Sequence, residues 1–130
     1  MSAVPIIIQA LLAAPTVTAV VSTRIRPISA DQGGTPPDLV VYAASEADGY
    51  ELAGAMEFPA ARVTVECRAR TFSAADTLGD KVIAALQNLN GTFDGKHAQV
   101  FGWSQVASDH DDEFSIFRRI LDFHVHYRVV

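Results

Sequence analysis

The alternation of apolar and polar residues is clearest between Arg62 and Arg70. Val63, Val65, Cys67 and Ala69 fall on one side of an extended chain, and Arg62, Thr64, Glu66, Arg68 and Arg70 on the other. That period of two marks a strand with one face on a core. Just beyond, the period changes. Ala75, Leu78, Val82, Ala85, Leu86 and Leu89 recur at spacings of three and four, which predicts an amphipathic helix over 74–89. Ser73 stands where an N-cap belongs, Asp76 adds negative charge to the first turn, and Gly91 stands where a left-handed cap ends a helix.

Two strands are predicted at the end of the chain. The first runs from His97 to Ala107. The second runs from Phe114 to Val129, with Phe117, Leu121, Phe123, Val125, Tyr127 and Val129 on one face and Asp122, His124, His126 and Arg128 on the other. Between them, Ser108 to Glu113 forms a polar turn whose charges belong in solvent.

The first half of the chain is less regular. Ala3 to Ala14 reads as an apolar helix that Pro15 stops, because the residue before proline is driven out of the α region. Thr16 to Ile25, rich in Val and Thr, favours extended structure. Residues 27–38 carry two adjacent glycines and two adjacent prolines and read as a loop. Leu39 to Ala44 is a short apolar run that predicts a buried strand. In residues 46–59, Asp48-Gly49 is a turn signal, and Tyr50, Leu52, Met56 and Phe58 lie at even positions around Ala53-Gly54-Ala55. The segment reads as a hairpin or arm projecting from the body. These elements add up to one α+β domain over residues 1–130, a largely antiparallel sheet with two main helices packed on one face.

Composition narrows the functional classes. At 130 residues the chain is long enough to bury a substantial core. Its ten Lys and Arg against fifteen Asp and Glu leave a net charge of −5, so no overall basic field draws it to nucleic acid. Cys67 is the only cysteine, and no intramolecular disulfide can form. Ser2 to Thr23 carries no charge, but Pro5 and Pro15 interrupt it and the polar Thr16, Thr18, Ser22 and Thr23 punctuate it. A short buried helix followed by a turn or strand is the expectation there, rather than a membrane span.

Candidate chemistry is sparse. His124 and His126, two apart on a strand, point to one face and could share a metal, but no spacing supplies a third ligand. Asp109, Asp111, Asp112 and Glu113 match a calcium loop in charge only, lacking its glycine and its twelfth-position acid. The segment Gly91 to His97 is one residue short of a phosphate-binding loop and follows a helix instead of a strand. Cys67 sits on an apolar face, where a thiol is an inert small hydrophobe. Trp103, with Phe101 on the same face of its strand, is expected in the core. The expectation is a protein with no catalytic residues, no metal and no cofactor.

Taken together, Thr23-Arg-Ile-Arg-Pro27, the loop Ala30-Asp-Gln-Gly-Gly34 and Pro36-Pro-Asp-Leu-Val-Val-Tyr42 stand in an order that resembles the tail-completion, or tail terminator, proteins of long-tailed bacteriophages and gene transfer agents. The alternating strand leading into the helix at Ala74 and the closing strand from Phe117 to Arg128 fit the same family, and the resemblance spans nearly the whole chain. It implies a structural virion protein, made in the bacterial host cytoplasm and placed at the head-proximal end of the tail. There it would form a homo-oligomeric ring, six-fold, that ends tube polymerisation and joins the tail to the head. The implied partners are the tail tube protein and a neck or head-completion protein, with DNA passing through the lumen without specific binding. On that reading Tyr50, Leu52, Met56 and Phe58 are the expected contacts with a neighbouring subunit or the tube. Another head–tail connector, a neck or stopper protein, is the alternative, and a small metal- or ligand-binding module a more remote one.

Overall fold

The computed structural model describes residues 3–27, 35–46, 50–51, 54–55 and 60–129. It opens with two short helices, α1 (Val4–Leu12) and α2 (Pro15–Val21), bent by 89° at the break between them. Among the described residues no single helix is long and apolar enough to cross a membrane. Pro15 does end the first helix, but the Val- and Thr-rich stretch after it is helical rather than extended. Proline is well placed at the first position of a helix, where its missing N–H has no intrahelical partner in any case. Val17 and Val21, four apart, then share one buried face of α2. Burial on the core outweighs the β preference of the individual residues.

Six strands make the main sheet. They are β1 (Ile25–Pro27), β2 (Asp38–Glu46), β5 (Ala60–Ala69), β6 (Asn90–Phe93), β7 (Lys96–Asp111) and β8 (Ile116–Val129), in the spatial order β1-β2-β5-β8-β7-β6. All neighbours are antiparallel except β1 and β2, which run parallel. A separate two-stranded ladder, β3 (Tyr50–Glu51) with β4 (Gly54–Ala55), lies within the segment expected to be a hairpin. The third helix, α3 (Phe72–Leu86), follows β5 directly. The expected α+β class and largely antiparallel sheet stand, with one parallel strand pair; among the described residues three helices are present rather than the two main ones expected.

The strand alternation read from the sequence is the packing that occurs. Leu39 and Val41 of β2, Val63, Val65 and Cys67 of β5, and Leu121, Phe123, Val125 and Tyr127 of β8 share one core with Ile6, Ile7 and Leu11 of α1 and Leu78, Val82 and Leu86 of α3. We call the opposite side of the sheet the open face.

The limits of α3 differ from those expected. Thr71, not Ser73, is the N-cap, and its hydroxyl accepts a hydrogen bond from the Ala74 N–H at 3.1 Å. Both residues can cap; the edge-on contact of Phe72 with Phe117, ring centroids 6.5 Å apart, favours the earlier start. The helix closes at Leu86, and it is Asn88 that takes a positive φ of 60°. Gly91 instead pairs with Ala98 across β6 and β7. The turn between those strands is Asp94-Gly95, both at positive φ (52° and 70°), the conformation of the tight two-residue hairpin.

Candidate assembly interface

Strands β7 and β8 form the longest hairpin of the molecule, sixteen and fourteen residues. Their pairing runs through to Asp111 opposite Ile116. Ser108 to Asp111, expected in the turn, are thus strand, and Asp111 Oδ1 accepts from the N–H groups of Glu113 and Phe114 at 3.0 and 3.3 Å to shape the tighter turn beyond. The helices cover only part of this hairpin. Along β7 the burial seen at Ala98 and Val100 gives way to exposure at Phe101, Trp103, Ser104, Gln105 and Val106.

Two register shifts interrupt β7, one between Val100 and Gly102 and one between Gln105 and Ala107. Each inserts an extra residue, Phe101 and Val106, and such bulges re-aim side chains. This corrects the reading of Phe101 and Trp103 as partners in the core. Phe101 rests on the open face, its ring 4.3 Å from that of His126 and 5.7 Å from that of His124. Trp103 stands opposite Phe123, on the helix side. Phe101 is 56% exposed, Trp103 41% and Val106 56%. A period-two count assumes an unbroken strand, and one extra residue reverses every assignment after it.

The outer edge of β7 is open over most of its length. β6 covers only Lys96 to Gln99, and the Val100 N–H donates to the Leu89 carbonyl at 2.9 Å. From Phe101 to Asp111, among the described residues, no strand lies on that side.

The open face itself is a polar network. Thr64 and Asp122 are both buried and 2.6 Å apart, and Arg62 reaches the second Asp122 oxygen at 3.4 Å. Asp122 lies on the face away from the core as expected, and the Thr64 hydrogen bond and the Arg62 contact let its carboxylate be buried there. Arg118 holds Asp109 through two contacts of 2.7 and 2.8 Å and Glu66 at 3.4 Å, and its pKa is raised, first by the hydrogen bonds to Asp109. Burial, with the Glu66 carboxylate as hydrogen-bond partner, pushes the Tyr42 phenol up to about 12. At the sheet end near β1, Arg26 and Arg68 converge on Oδ2 of the fully buried Asp38, at 3.1 and 3.3 Å, and Oδ1 has no partner among the described residues.

These groups brace the strands. His124 and His126 do face the same side, but their near neighbour is the Phe101 ring. Among the described residues no three of His, Cys, Asp and Glu are grouped to hold a metal ion. Cys67 is fully buried, and desolvation pushes its thiol up to about 12. Of the four expected contact residues, Tyr50 has its backbone in β3, paired with Ala55. Leu52, Met56 and Phe58 lie outside the described residues. Sequence reasoning missed the exposed edge of β7. Its signal was the absence of any Asp, Glu, Lys or Arg from Ala98 to Ser108, because soluble proteins normally place charges on an open strand edge.

A mixed α+β fold on a six-stranded sheet, with one long hairpin edge uncovered among the described residues, is the class that this architecture defines. Residues 5–128 match the model of the family described as "Tail completion protein gp17". The chain belongs to that family of structural phage tail proteins. Among solved structures it is similar to a chain of the virion of a native gene transfer agent particle, with 18% identity and a TM-score of 0.64 over 93% of this chain and 90% of that one. A second solved structure shares 14% identity at a TM-score of 0.52, over 95% of this chain and 94% of that one. No curated protein matches.

Proposed function

We propose that the chain is the subunit of a closed, six-fold ring that ends the tail tube at its head-proximal end and offers the surface on which the neck docks. The observation that carries this reading is the open, uncharged edge of β7 in a member of the tail-completion family. An exposed edge with large apolar side chains is a liability in a free monomer. A closed ring covers the same edge on every subunit at once, whereas a contact that failed to close would give filaments. On this reading Tyr50, Leu52, Met56 and Phe58 meet a neighbouring subunit or the tube. The net charge of −5 suits a ring through which DNA passes, since a basic lumen would hold phosphates and slow them. No step in this role calls for catalysis, and the protein would reside in the virion.

The test is electron microscopy of particles made by a producer lacking this chain. Tails of uncontrolled length, or tails never joined to heads, are expected. Tails of normal length attached to filled heads would overturn the reading.

A further inference from the structure

Charge is segregated along the β7–β8 hairpin. Its turn end holds Asp109, Asp111, Asp112 and Glu113, and no Lys or Arg occurs from His97 to Phe117. Its opposite end has no Asp or Glu from Gly95 to Ser108 or from Phe123 to Val130. There the open face presents His97, Gln99 and Phe101 of β7 beside His124, His126 and Arg128 of β8. His97 stands opposite Arg128 and Gln99 opposite His126, and the Phe101 ring lies against both β8 histidines. The next acid along that face of β8, Asp122, is buried and engaged by Thr64 and Arg62.

At the turn end the four carboxylates have different duties. Asp109 is held by Arg118, and Asp111 accepts the N–H groups that shape the turn. Asp112 meets His110 at 2.7 Å, yet its side chain is 95% exposed. Glu113 is exposed beside it, and Phe114, whose carbonyl accepts from Arg70, is 60% exposed. The turn thus carries two outward carboxylates and an aromatic ring. The opposite end offers what such a turn would meet: a guanidinium, imidazoles and an amide that donate to carboxylates, and the exposed Phe101 ring. The two ends are complementary in charge and in apolar content. They cannot meet within one chain, because β8 is fourteen residues long and the ends of an extended strand of that length stand about 40 Å apart.

We infer that the β7–β8 turn of one copy of this chain docks on the histidine- and arginine-bearing end of the open face of the next copy. Asp112 and Glu113 accept hydrogen bonds from His97, His126 and Arg128, and Phe114 packs against Phe101. The inference rests on the proposed ring and specifies a joint between its subunits. Because the two surfaces differ, the contact is heterologous, as a cyclic assembly with more than two subunits requires. Charged contacts of this kind fix orientation more than they add affinity. Orientation is what a ring joint needs, since the rotation from one subunit to the next decides whether the assembly closes.

Cysteine cross-linking in assembled particles tests this. The double variant Gln99→Cys, Glu113→Cys, both at exposed positions, is treated with a bis-maleimide too short to join the two ends of one chain. Cys67, fully buried, stays out of the reaction, as the wild-type control verifies. A ladder of linked chains longer than dimers is expected from the double variant, and no link from either single variant. Links to another virion protein, links from a single variant, or no link in particles that contain the double variant would each overturn the inference while leaving the ring untouched. Tails of normal length joined to filled heads in the absence of the chain would instead overturn the proposed function. Charge reversal gives a second reading. Asp112→Lys with Glu113→Lys, or His126→Glu with Arg128→Glu, should each lower the amount of chain in particles at least about tenfold, and all four together should restore it. Reversals that assemble normally, or a combination no better than either pair alone, would also overturn the inference.

Discussion

Cys67 shows how one residue reports the core around it. It lies on the inner face of β5 between Val65 and Ala69, fully buried, and loss of solvent pushes its thiol up to about 12 from a normal value near 9. An acid whose folded pKa is raised holds its proton more tightly in the folded state than in the unfolded one. Its contribution to stability is therefore complete below pH 9 and is lost as pH rises from there towards 12. Tyr42, raised from 10.0 to about 12, adds to the loss in the upper part of the same window. The chain should thus lose stability between pH 8 and pH 10.5 in urea titrations. Cys67→Ala should reduce that loss while lowering stability at pH 8 by about 1 kcal/mol through the small cavity it leaves. An identical pH dependence in the variant would show that the thiol is not the titrating group.

The elements divide into those that a local pattern specifies and those that a long-range contact decides. The alternation of Val63, Val65 and Cys67 and the stripe of Leu78, Val82 and Leu86 were legible because each residue needs only its own period to find the core. The helix α2 was not, since the β preference of Val and Thr is weaker than the burial of Val17 and Val21 on one helical face. The turn at Asp94-Gly95 was legible in principle, being the two-residue hairpin signal, but was weighed as part of a phosphate loop. The bulges at Phe101 and Val106 leave no signature in periodicity, so the period alone could not place the exposed edge of β7.

One joint between elements is sharp enough to test. Arg119 of β8 reaches across to α3, donating to Asp80 Oδ1 and the Asp76 carbonyl at 2.8 Å each, and to Gln105 Oε1 of β7 at 2.8 Å. The passage exists because α3 has glycine at position 79: a Cβ there would stand 2.5 Å from Arg119 Cδ. Alanine in a helix interior is otherwise favoured over glycine by about 1 kcal/mol. In an Arg119→Ala background, Gly79→Ala should show that gain. In the wild type the gain should be cancelled or reversed, because Arg119 must leave its three acceptors. Chemical denaturation of the four proteins of this cycle measures the coupling, and equal effects of Gly79→Ala in both backgrounds would mean that Arg119 moves aside at no cost.

At the scale of the whole molecule, folding and assembly are separable. The described core is built from the three helices and from β1, β2, β5, β7 and β8, and Glu46 and Ala61, on either side of residues 47–60, are a register pair at the end of β2 and β5. Deleting Asp48 to Glu57 leaves Ala47, Phe58, Pro59 and Ala60 to join that pair, and four-residue loops connect antiparallel strands readily. Loop shortening of this kind changes closure entropy only slightly. The shortened chain should therefore keep its denaturation midpoint within the range of ordinary surface changes, about 0.5 kcal/mol. What it should lose is entry into particles, because the acidic, apolar segment is the part expected to reach a neighbour. Complementing a producer that lacks the chain with the shortened gene, then assaying purified particles for the protein and for tail length, separates the outcomes. A folded variant that is absent from particles with unjoined tails is expected. A variant that fails to fold would assign the segment to the core, and a folded one that still restores joined tails of normal length would show that the ring closes without it.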